Sequence, residues 1–143
     1  MKAKVKELTI WITGASSGIG EALSIAFAKG GARIILSGRD EAKLAAVKKI
    51  CKHSKKHIIM PFDISDAEQA KEAYDAAIAQ TGKIDWLINN AGVSQRSLIM
   101  ETSEDVERQI MEIDYFAQTR LTRLVLPDMI TGLHNKRAYW HQH

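Results

Sequence analysis

A run of small residues near the amino terminus, Thr13-Gly14-Ala15-Ser16-Ser17-Gly18-Ile19-Gly20, has the composition and spacing needed to bind an anion. It follows an apolar segment, Leu8-Thr9-Ile10-Trp11-Ile12, which predicts a buried strand, and it leads into a predicted helix. Glycines allow the backbone to approach a pyrophosphate, and a helix N-terminus supplies free N–H groups and a partial positive charge. A strand, a glycine turn and a helix in this order predict nucleotide binding.

Two other interpretations of this run are a P-loop and a flexible turn without a ligand. A P-loop is disfavoured because Glu21, rather than Lys followed by Ser or Thr, comes after Gly20. A plain turn accounts less well for three glycines and two serines at the place where a strand meets a helix.

Short apolar strands alternate with amphipathic helices along most of the chain. The predicted strands are Leu8–Thr13, Arg33–Ser37, His57–Pro61 and Asp85–Asn89. The predicted helices are Ser17–Lys29, Asp40–Lys52, Asp66–Gln80 and Ser103–Met129. This order predicts an α/β fold, a Rossmann-like, doubly wound parallel sheet in three α/β/α layers, incomplete at about four strands and four helices.

Local signals refine the helix limits and divide the chain. Asp40 and Ser103 are expected N-caps, and an apolar stripe of Leu44, Val47 and Ile50 is expected to bury the second helix. Pro127 is expected to break or kink the long helix near its end. Residues 1–130 are therefore interpreted as a nucleotide-binding domain, and the polar, His-rich residues 131–143 as an irregular tail.

Composition is that of an ordinary globular chain, with 45% hydrophobic and 26% charged residues among 143. The net charge of +3 suits an anionic ligand, although a solvated basic surface would have the same charge. A denser basic segment, from Lys48-Lys49 to Lys55-Lys56, is interpreted as structural because lysines stabilise a helix C-terminus. Nucleic-acid binding is disfavoured because no aromatic residues are interleaved with these lysines.

A single cysteine, Cys51, cannot form an internal disulfide and is expected to be buried rather than nucleophilic. No apolar run has the length of a membrane span or of a signal-peptide core, so we expect a cytoplasmic protein without a membrane partner. No metal site is predicted.

The glycine turn resembles the cofactor turn of the short-chain dehydrogenase/reductase family. Three further features come in the order found in that family: Asp63-Ile64 after the third strand, Asn89-Asn90-Ala91-Gly92 after the fourth, and Leu126-Pro127 closing the long helix. The resemblance covers residues from Leu8 to Met129.

The resemblance implies cofactor contacts for residues of each motif. Asp63 would accept a hydrogen bond from the adenine amino group, or, as an alternative, cap the next turn. The Asn89-Asn90 pair could also serve simply as a turn. The implied cofactor residues are Thr13, Gly14, Ser16, Ser17, Gly18, Ile19, Gly20, Asp63, Ile64, Asn90, Ala91 and Gly92.

The end of the second strand, Ser37-Gly38-Arg39-Asp40, bears on the choice of cofactor. An acidic residue there would bind the ribose hydroxyls of NAD, whereas an arginine can pair with the 2′-phosphate of NADP. Because Asp40 serves better as a helix cap, Arg39 predicts NADP in preference to NAD. The alternative for Arg39 is a solvated surface residue.

Catalysis in the resembled family uses an Asn-Ser-Tyr-Lys set for hydride transfer between NADP(H) and a small-molecule carbonyl or alcohol. Asp114 occupies the asparagine position here, and its carboxylate cannot donate a hydrogen bond as an amide does; it could also be a plain surface acid. No Tyr-x-x-x-Lys run occurs, since His143 follows Tyr139 at the lysine position. The sequence therefore predicts an oxidoreductase by family that lacks its catalytic serine, tyrosine and lysine, or a non-catalytic nucleotide-binding remnant.

The end of the chain is interpreted as a cut near Thr131, from a frameshift, a sequencing error or a natural truncation. We expect the fourth strand to be left as a sheet edge and the chain to aggregate unless it pairs with another. The resembled family is often homo-oligomeric.

Overall fold

The computed structural model describes residues 5–94 and 96–140, the last eight of them by backbone alone. Four parallel strands form one sheet in the order β3-β2-β1-β4, with Trp11 of β1 opposite Ile35 of β2 and Leu87 of β4. The strands are β1 (Thr9–Thr13), β2 (Arg33–Gly38), β3 (Ile58–Pro61) and β4 (Trp86–Ile88). The predicted parallel α/β fold is confirmed, and each strand begins within one residue of its expected start.

Helices follow each strand, as the alternating pattern predicts. They are α1 (Gly18–Lys29), α2 (Glu41–Ile50), α3 (Ala67–Thr81), α4 (Glu104–Met111) and α5 (Gln118–Trp140), with single 3₁₀ turns at Ser54–Lys56 and Ile99–Glu101. The expected single long helix is divided, because a π-helical turn over Glu112–Ala117 separates α4 from α5.

The sheet carries a hydrophobic core on each face. On one face, Ile10, Ile12 and Ile34 pack with residues of α1 and α2, including Ala28 and Leu44. On the other face, side chains of the sheet pack against α3 and α5: Trp11, Ile35, Ala70, Ala73, Ala77, Leu121 and Val125. Three layers result, because successive strand residues point to opposite faces.

Aspartates begin the second and third helices. The Asp40 carboxylate accepts from the Lys43 N–H at 3.0 Å, and the Asp66 carboxylate accepts from the N–H groups of Glu68 and Gln69. The expected cap at Asp40 is confirmed. Ser103 stands at the N-cap of α4, but its hydroxyl makes no capping bond and its carbonyl accepts instead.

The expected burial of Ile50 is wrong, because this side chain is 61% exposed. The buried positions at the end of α2 are Leu44, Val47 and Cys51. Their spacing of three and four residues follows one face of a helix, and Ile50 falls beside that face. Cys51 is buried, as expected.

Of the break or kink expected at Pro127, the break does not occur, because α5 includes Pro127 and runs to Trp140. The division of the chain into residues 1–130 and 131–143 stays a prediction. A proline removes one N–H donor from the ladder, and packing of the preceding turn holds the helix together: Leu121 and Val125 are fully buried. After Pro127 the sequence contains no second proline. Residues 141–143 lie outside the described part.

β4 pairs with β1 along one side only, within the described residues, and Trp86 is 43% exposed there. None of the described helices is long and apolar enough to cross a bilayer.

Candidate functional site

A cleft of about 310 Å³ opens at the carboxyl ends of the strands. Parallel α/β sheets place ligands at this edge, where the loops after adjacent strands meet. Most of the residues predicted to bind a cofactor line this one cleft: Thr13, Gly14, Ser16, Ser17, Arg39, Asp63, Ile64, Asn90, Ala91 and Gly92. Residues far apart in sequence are thus brought together by the four strands.

The glycine turn forms one wall of the cleft through Gly14, Ser16 and Ser17, and it leads directly into α1. Ser17 is the N-cap, yet its hydroxyl makes no capping hydrogen bond. The Glu21 N–H donates to Ser17 O, so the amides of Gly18, Ile19 and Gly20 precede the intrahelical ladder. These amides and the adjacent serine hydroxyls are the donors that a phosphate requires.

Gly20 has a packing reason to be glycine. A Cβ there would lie 2.0 Å from Gly14 O and 2.6 Å from the Asn90 side-chain nitrogen. Gly14 has a φ of +64°, a left-handed value that favours glycine. The two glycines let α1 and the turn approach Asn90, whose amide donates to Gly14 O at 3.1 Å.

The predicted residues Gly18, Ile19 and Gly20 do not line the cleft. Gly18 begins α1 with a φ of +56°, and a Cβ on it would meet no atom within 4 Å. The Ile19 side chain is 71% exposed. Only main-chain atoms of these residues are placed to serve a ligand, and their cofactor role stays a prediction.

The Thr13 hydroxyl joins the first and fourth strands at the floor of the cleft. It accepts from the N–H groups of Asn90 (3.1 Å) and Ala91 (3.0 Å) and donates to Ile88 O (3.3 Å). Thr13 is 2% exposed, so water does not replace these bonds. Thr13, which the glycine-turn motif predicts as a site residue, therefore fixes the position of the Asn90–Ala91 backbone.

The end of β2 forms the opposite wall. Trp11 donates its indole N–H to the Ser37 hydroxyl at 2.7 Å inside the sheet, and Gly38 and Arg39 follow at the rim. A shallower depression continues from the cleft beside Arg39. It is lined by Ser16, Arg39, Asp40, Glu41 and Lys43. Asp40 is engaged there by Lys43, through the N–H that it caps and through the ammonium group at 4.0 Å.

Asp63 is ionised at neutral pH. Hydrogen bonds from the Ser65 hydroxyl (2.7 Å) and N–H (2.9 Å), and the nearby positive charge of Arg39, hold the pKa of its carboxyl below the usual value. Both Ser65 bonds go to one oxygen, Oδ1. Asp63 therefore shapes the turn before α3 and still lines the cleft, while its contact with an adenine amino group stays a prediction.

Asp114 lies in the π-helical turn next to the loop after β4. Its carboxylate accepts from the Val93 N–H at 2.8 Å, and a Cβ on Gly92 would lie 3.3 Å from it. Gln118, one helical turn on, donates to Ala91 O at 2.6 Å. Asp114 does not line the cleft but holds the Gly92–Val93 segment that does.

Several lining residues were not predicted to bind the cofactor: Ser37, Gly38, Phe62, Val93 and Ile113. Four of them directly adjoin a predicted residue or strand end, so the rule that strand ends converge could have found them. Ile113 carries no such signal, because its position depends on the π-helical turn.

No cluster of three or more potential metal ligands occurs in the part of the chain that the structure describes. Burial raises the pKa of the Cys51 thiol, which disfavours the nucleophilic thiolate.

The sequence is similar to proteins of one known family over most of its length. The sequence matches the family model described as short chain dehydrogenase over residues 8–137. It is 40% identical over 132 residues to the human dehydrogenase/reductase SDR family member 7, covering 89% of this chain and 39% of that protein. The chain thus spans about two fifths of the length of this relative.

Solved structures agree in fold. A short-chain dehydrogenase from Streptomyces avermitilis superposes with a TM-score of 0.80 at 31% identity, over 85% of this chain and 44% of that one. A 3-ketoacyl-(acyl-carrier-protein) reductase from Brucella melitensis, complexed with NADH, superposes with a TM-score of 0.81 at 29% identity, over 87% of this chain and 50% of that one.

Proposed function

Because the chain belongs to the short-chain dehydrogenase family, we propose that its cleft binds a nicotinamide dinucleotide with a preference for the phosphorylated form, NADP(H). One observation carries the proposal: the glycine turn, the end of β2, the Asp63 turn and the Asn90–Gly92 segment line a single cleft. These are four loops, each following a different strand of one parallel sheet.

The donors and acceptors in the cleft fit the parts of a dinucleotide. The amides of the first turn of α1 and the Ser16 and Ser17 hydroxyls suit the pyrophosphate. The ionised Asp63 suits the adenine amino group, with Ile64 beside it. The backbone of Asn90–Gly92 suits the rest of the cofactor along β4.

The preference for NADP(H) rests on Arg39 and its surroundings. A guanidinium at the end of β2 can bind a 2′-phosphate through two hydrogen bonds, and Lys43 lines the same depression. Asp40, the residue that would favour NAD, is held by its cap to Lys43 N–H. Its carboxylate is therefore less available to ribose hydroxyls.

We further propose that the protein takes part in hydride transfer between NADP(H) and a small-molecule carbonyl or alcohol. When bound in the cleft, a nicotinamide would supply or accept the hydride. In this chain, Asp114 orients the Gly92–Val93 segment by accepting from the Val93 N–H.

The single buried cysteine suits a reducing compartment such as the cytoplasm.

A second candidate is nucleotide binding without turnover. It is favoured by Asp114, whose carboxylate stands at the family's asparagine position and is committed to a backbone amide. Oxidation of NADPH by the purified chain with a panel of aldehydes and ketones separates the two, since only the first candidate gives turnover.

Arg39→Asp tests the cofactor preference. Charge-assisted hydrogen bonds contribute about 1.5–3 kcal/mol, so we expect NADPH affinity to fall at least about tenfold while NADH affinity is kept or rises. Arg123→Asp is the matched control, because Arg123 is exposed on α5 and does not line the cleft. Equal losses in the two variants, or an unchanged NADPH-to-NADH ratio in Arg39→Asp, would contradict the assignment.

A further inference from the structure

A basic surface lies at the amino ends of the strands, opposite the cofactor cleft. The segment 48–57 contains five lysines and two histidines and no acidic residue. With Lys2, Lys4 and Lys6 it provides eight cations in a chain of net charge +3, so the remaining residues carry a net −5. The chain is therefore strongly asymmetric in charge.

Among the described residues, the structure brings several of these cations to one place. A shallow depression is lined by residues before β1, before β2 and between α2 and β3: Lys6, Glu7, Gly31, Cys51, His53, Ser54, Lys55 and Lys56. Burial lowers the pKa of the His57 imidazole, and the nearby Lys56, Lys48 and His53 lower it further. We call the surface formed by Lys6, Lys48, Lys49, Lys52, His53, Lys55 and Lys56 the basic face.

The fold itself does not use most of this charge. Lys48 and Lys49 fall in the last turn of α2 and complement its dipole, whereas Lys52, Lys55 and Lys56 come after the helix has ended. Among the residues that the structure describes, none of the five lysines forms an ion pair with a carboxylate. Lys56 alone donates its ammonium group to a backbone acceptor, Gly31 O at 2.5 Å.

The last turn of α2, which carries Lys48 and Lys49, also exposes an apolar side chain. Ile50, the last residue of α2, is 61% exposed and has Lys49 and Lys52 as close neighbours in sequence. Cations around an exposed aliphatic group suit the boundary of an anionic bilayer, where the lysines meet headgroups and the isoleucine enters the apolar layer. A nucleic acid or an acidic peptide would use the charge but gain little from Ile50.

We propose that the basic face docks the protein on an anionic membrane surface. Docking through the amino ends of the strands leaves the cleft at their carboxyl ends open to solvent. The proposal does not depend on the cofactor assignment, because the two regions share no lining residue.

The test is sedimentation of the full chain with vesicles of phosphatidylcholine, with and without roughly 30% phosphatidylserine, at about 0.1 M salt. We expect binding only to the anionic vesicles and its loss at about 0.5 M salt. The variant Lys49→Glu/Lys52→Glu/Lys55→Glu should bind on the order of 100-fold more weakly, at about fivefold per lysine. Ile50→Ser should weaken binding a few-fold.

A control variant, Lys71→Glu/Arg108→Glu/Arg123→Glu, makes the same change in net charge at exposed positions outside the basic face. It should keep vesicle binding, and both variants should keep their NADPH affinity. Equal binding to neutral and anionic vesicles, an equal loss in the two variants, or tighter binding to duplex DNA or polyglutamate than to the vesicles would overturn the proposal. If the glutamate variant melts at a lower temperature than the wild type, the same three lysines are changed to glutamine instead. Vesicle binding by this variant, together with the lipid and salt dependence of the wild type, then tests the proposal.

Discussion

Replacement of Thr13 by valine removes one buried hydroxyl that satisfies two part-buried amides. In the wild type that oxygen accepts from Asn90 N–H at 3.1 Å and from Ala91 N–H at 3.0 Å. Valine has nearly the same shape, so the change leaves little cavity. An unsatisfied buried donor costs about 1–3 kcal/mol, and two of them give an expected loss of about 2–4 kcal/mol in the free energy of unfolding, with partial relaxation.

Urea denaturation of Thr13→Val and Thr13→Ser measures this loss. Serine keeps the hydroxyl and removes a methyl group, so its cost should be about 1 kcal/mol and its NADPH affinity near that of the wild type. Thr13→Val should also bind NADPH more weakly, because the Asn90–Ala91 backbone is no longer held. A valine variant within about 0.5 kcal/mol of the wild type would refute the reasoning.

Three further changes test separate parts of the account. Gly20→Ala places a Cβ 2.0 Å from Gly14 O, so it should lower the free energy of unfolding by about 3 kcal/mol or more and abolish NADPH binding. Gly18→Ala meets no atom within 4 Å and should cost only about 1 kcal/mol; thermal melts and NADPH titration check both variants. Asp40→Ala should lower the free energy of unfolding by about 1 kcal/mol through loss of the α2 cap without weakening NADPH binding, and a loss of NADH affinity would contradict the role given to Asp40. Burial lowers the pKa of His57, whose Nδ1 accepts from Ile34 N–H, so the stability should be full above about pH 6.5 and fall as the pH drops below it. The urea midpoint should depend less on pH in His57→Gln, and a wild-type midpoint that does not fall would contradict the assignment.

The regular elements could be predicted from the sequence because their signals are local. β2 contains a continuous apolar run, Ile34 to Leu36, which is typical of strands buried on both faces. Asp40 and Asp66 mark the starts of α2 and α3 through bonds spanning only two or three residues. The spacing of apolar residues and the capping residues are sufficient to predict these strands and helix starts.

The interior of the cleft depends on contacts between distant residues, and these leave little local trace. The reason for glycine at position 20 is its approach to Gly14 O and Asn90, which no local pattern expresses. The Trp11–Ser37 bond and the Thr13–Asn90 bond join residues 26 and 77 positions apart. The π-helical turn that brings Asp114 to Val93 N–H likewise has no sequence signature.

The helix through Pro127 and the exposure of Ile50 show where local rules were overridden. Burial of Leu121 and Val125 holds α5 in place despite the proline. At the end of α2, Cys51 takes the buried position because it continues the face of Leu44 and Val47, whereas Ile50 falls beside that face. In both cases packing decided the outcome rather than propensity.

An NMR titration of the isotope-labelled chain with NADPH tests the central claim most directly, because it reports on each backbone amide. The account predicts saturable shifts at Gly14, Ser16, Ser17, Gly38 and Asn90–Gly92, larger at equal concentration than those caused by NADH. The amides of residues 48–57 serve as the internal control and should stay in place. A folded chain whose spectrum is unchanged by NADPH, or changes at 48–57 instead of the cleft, would contradict the assignment of the cofactor site.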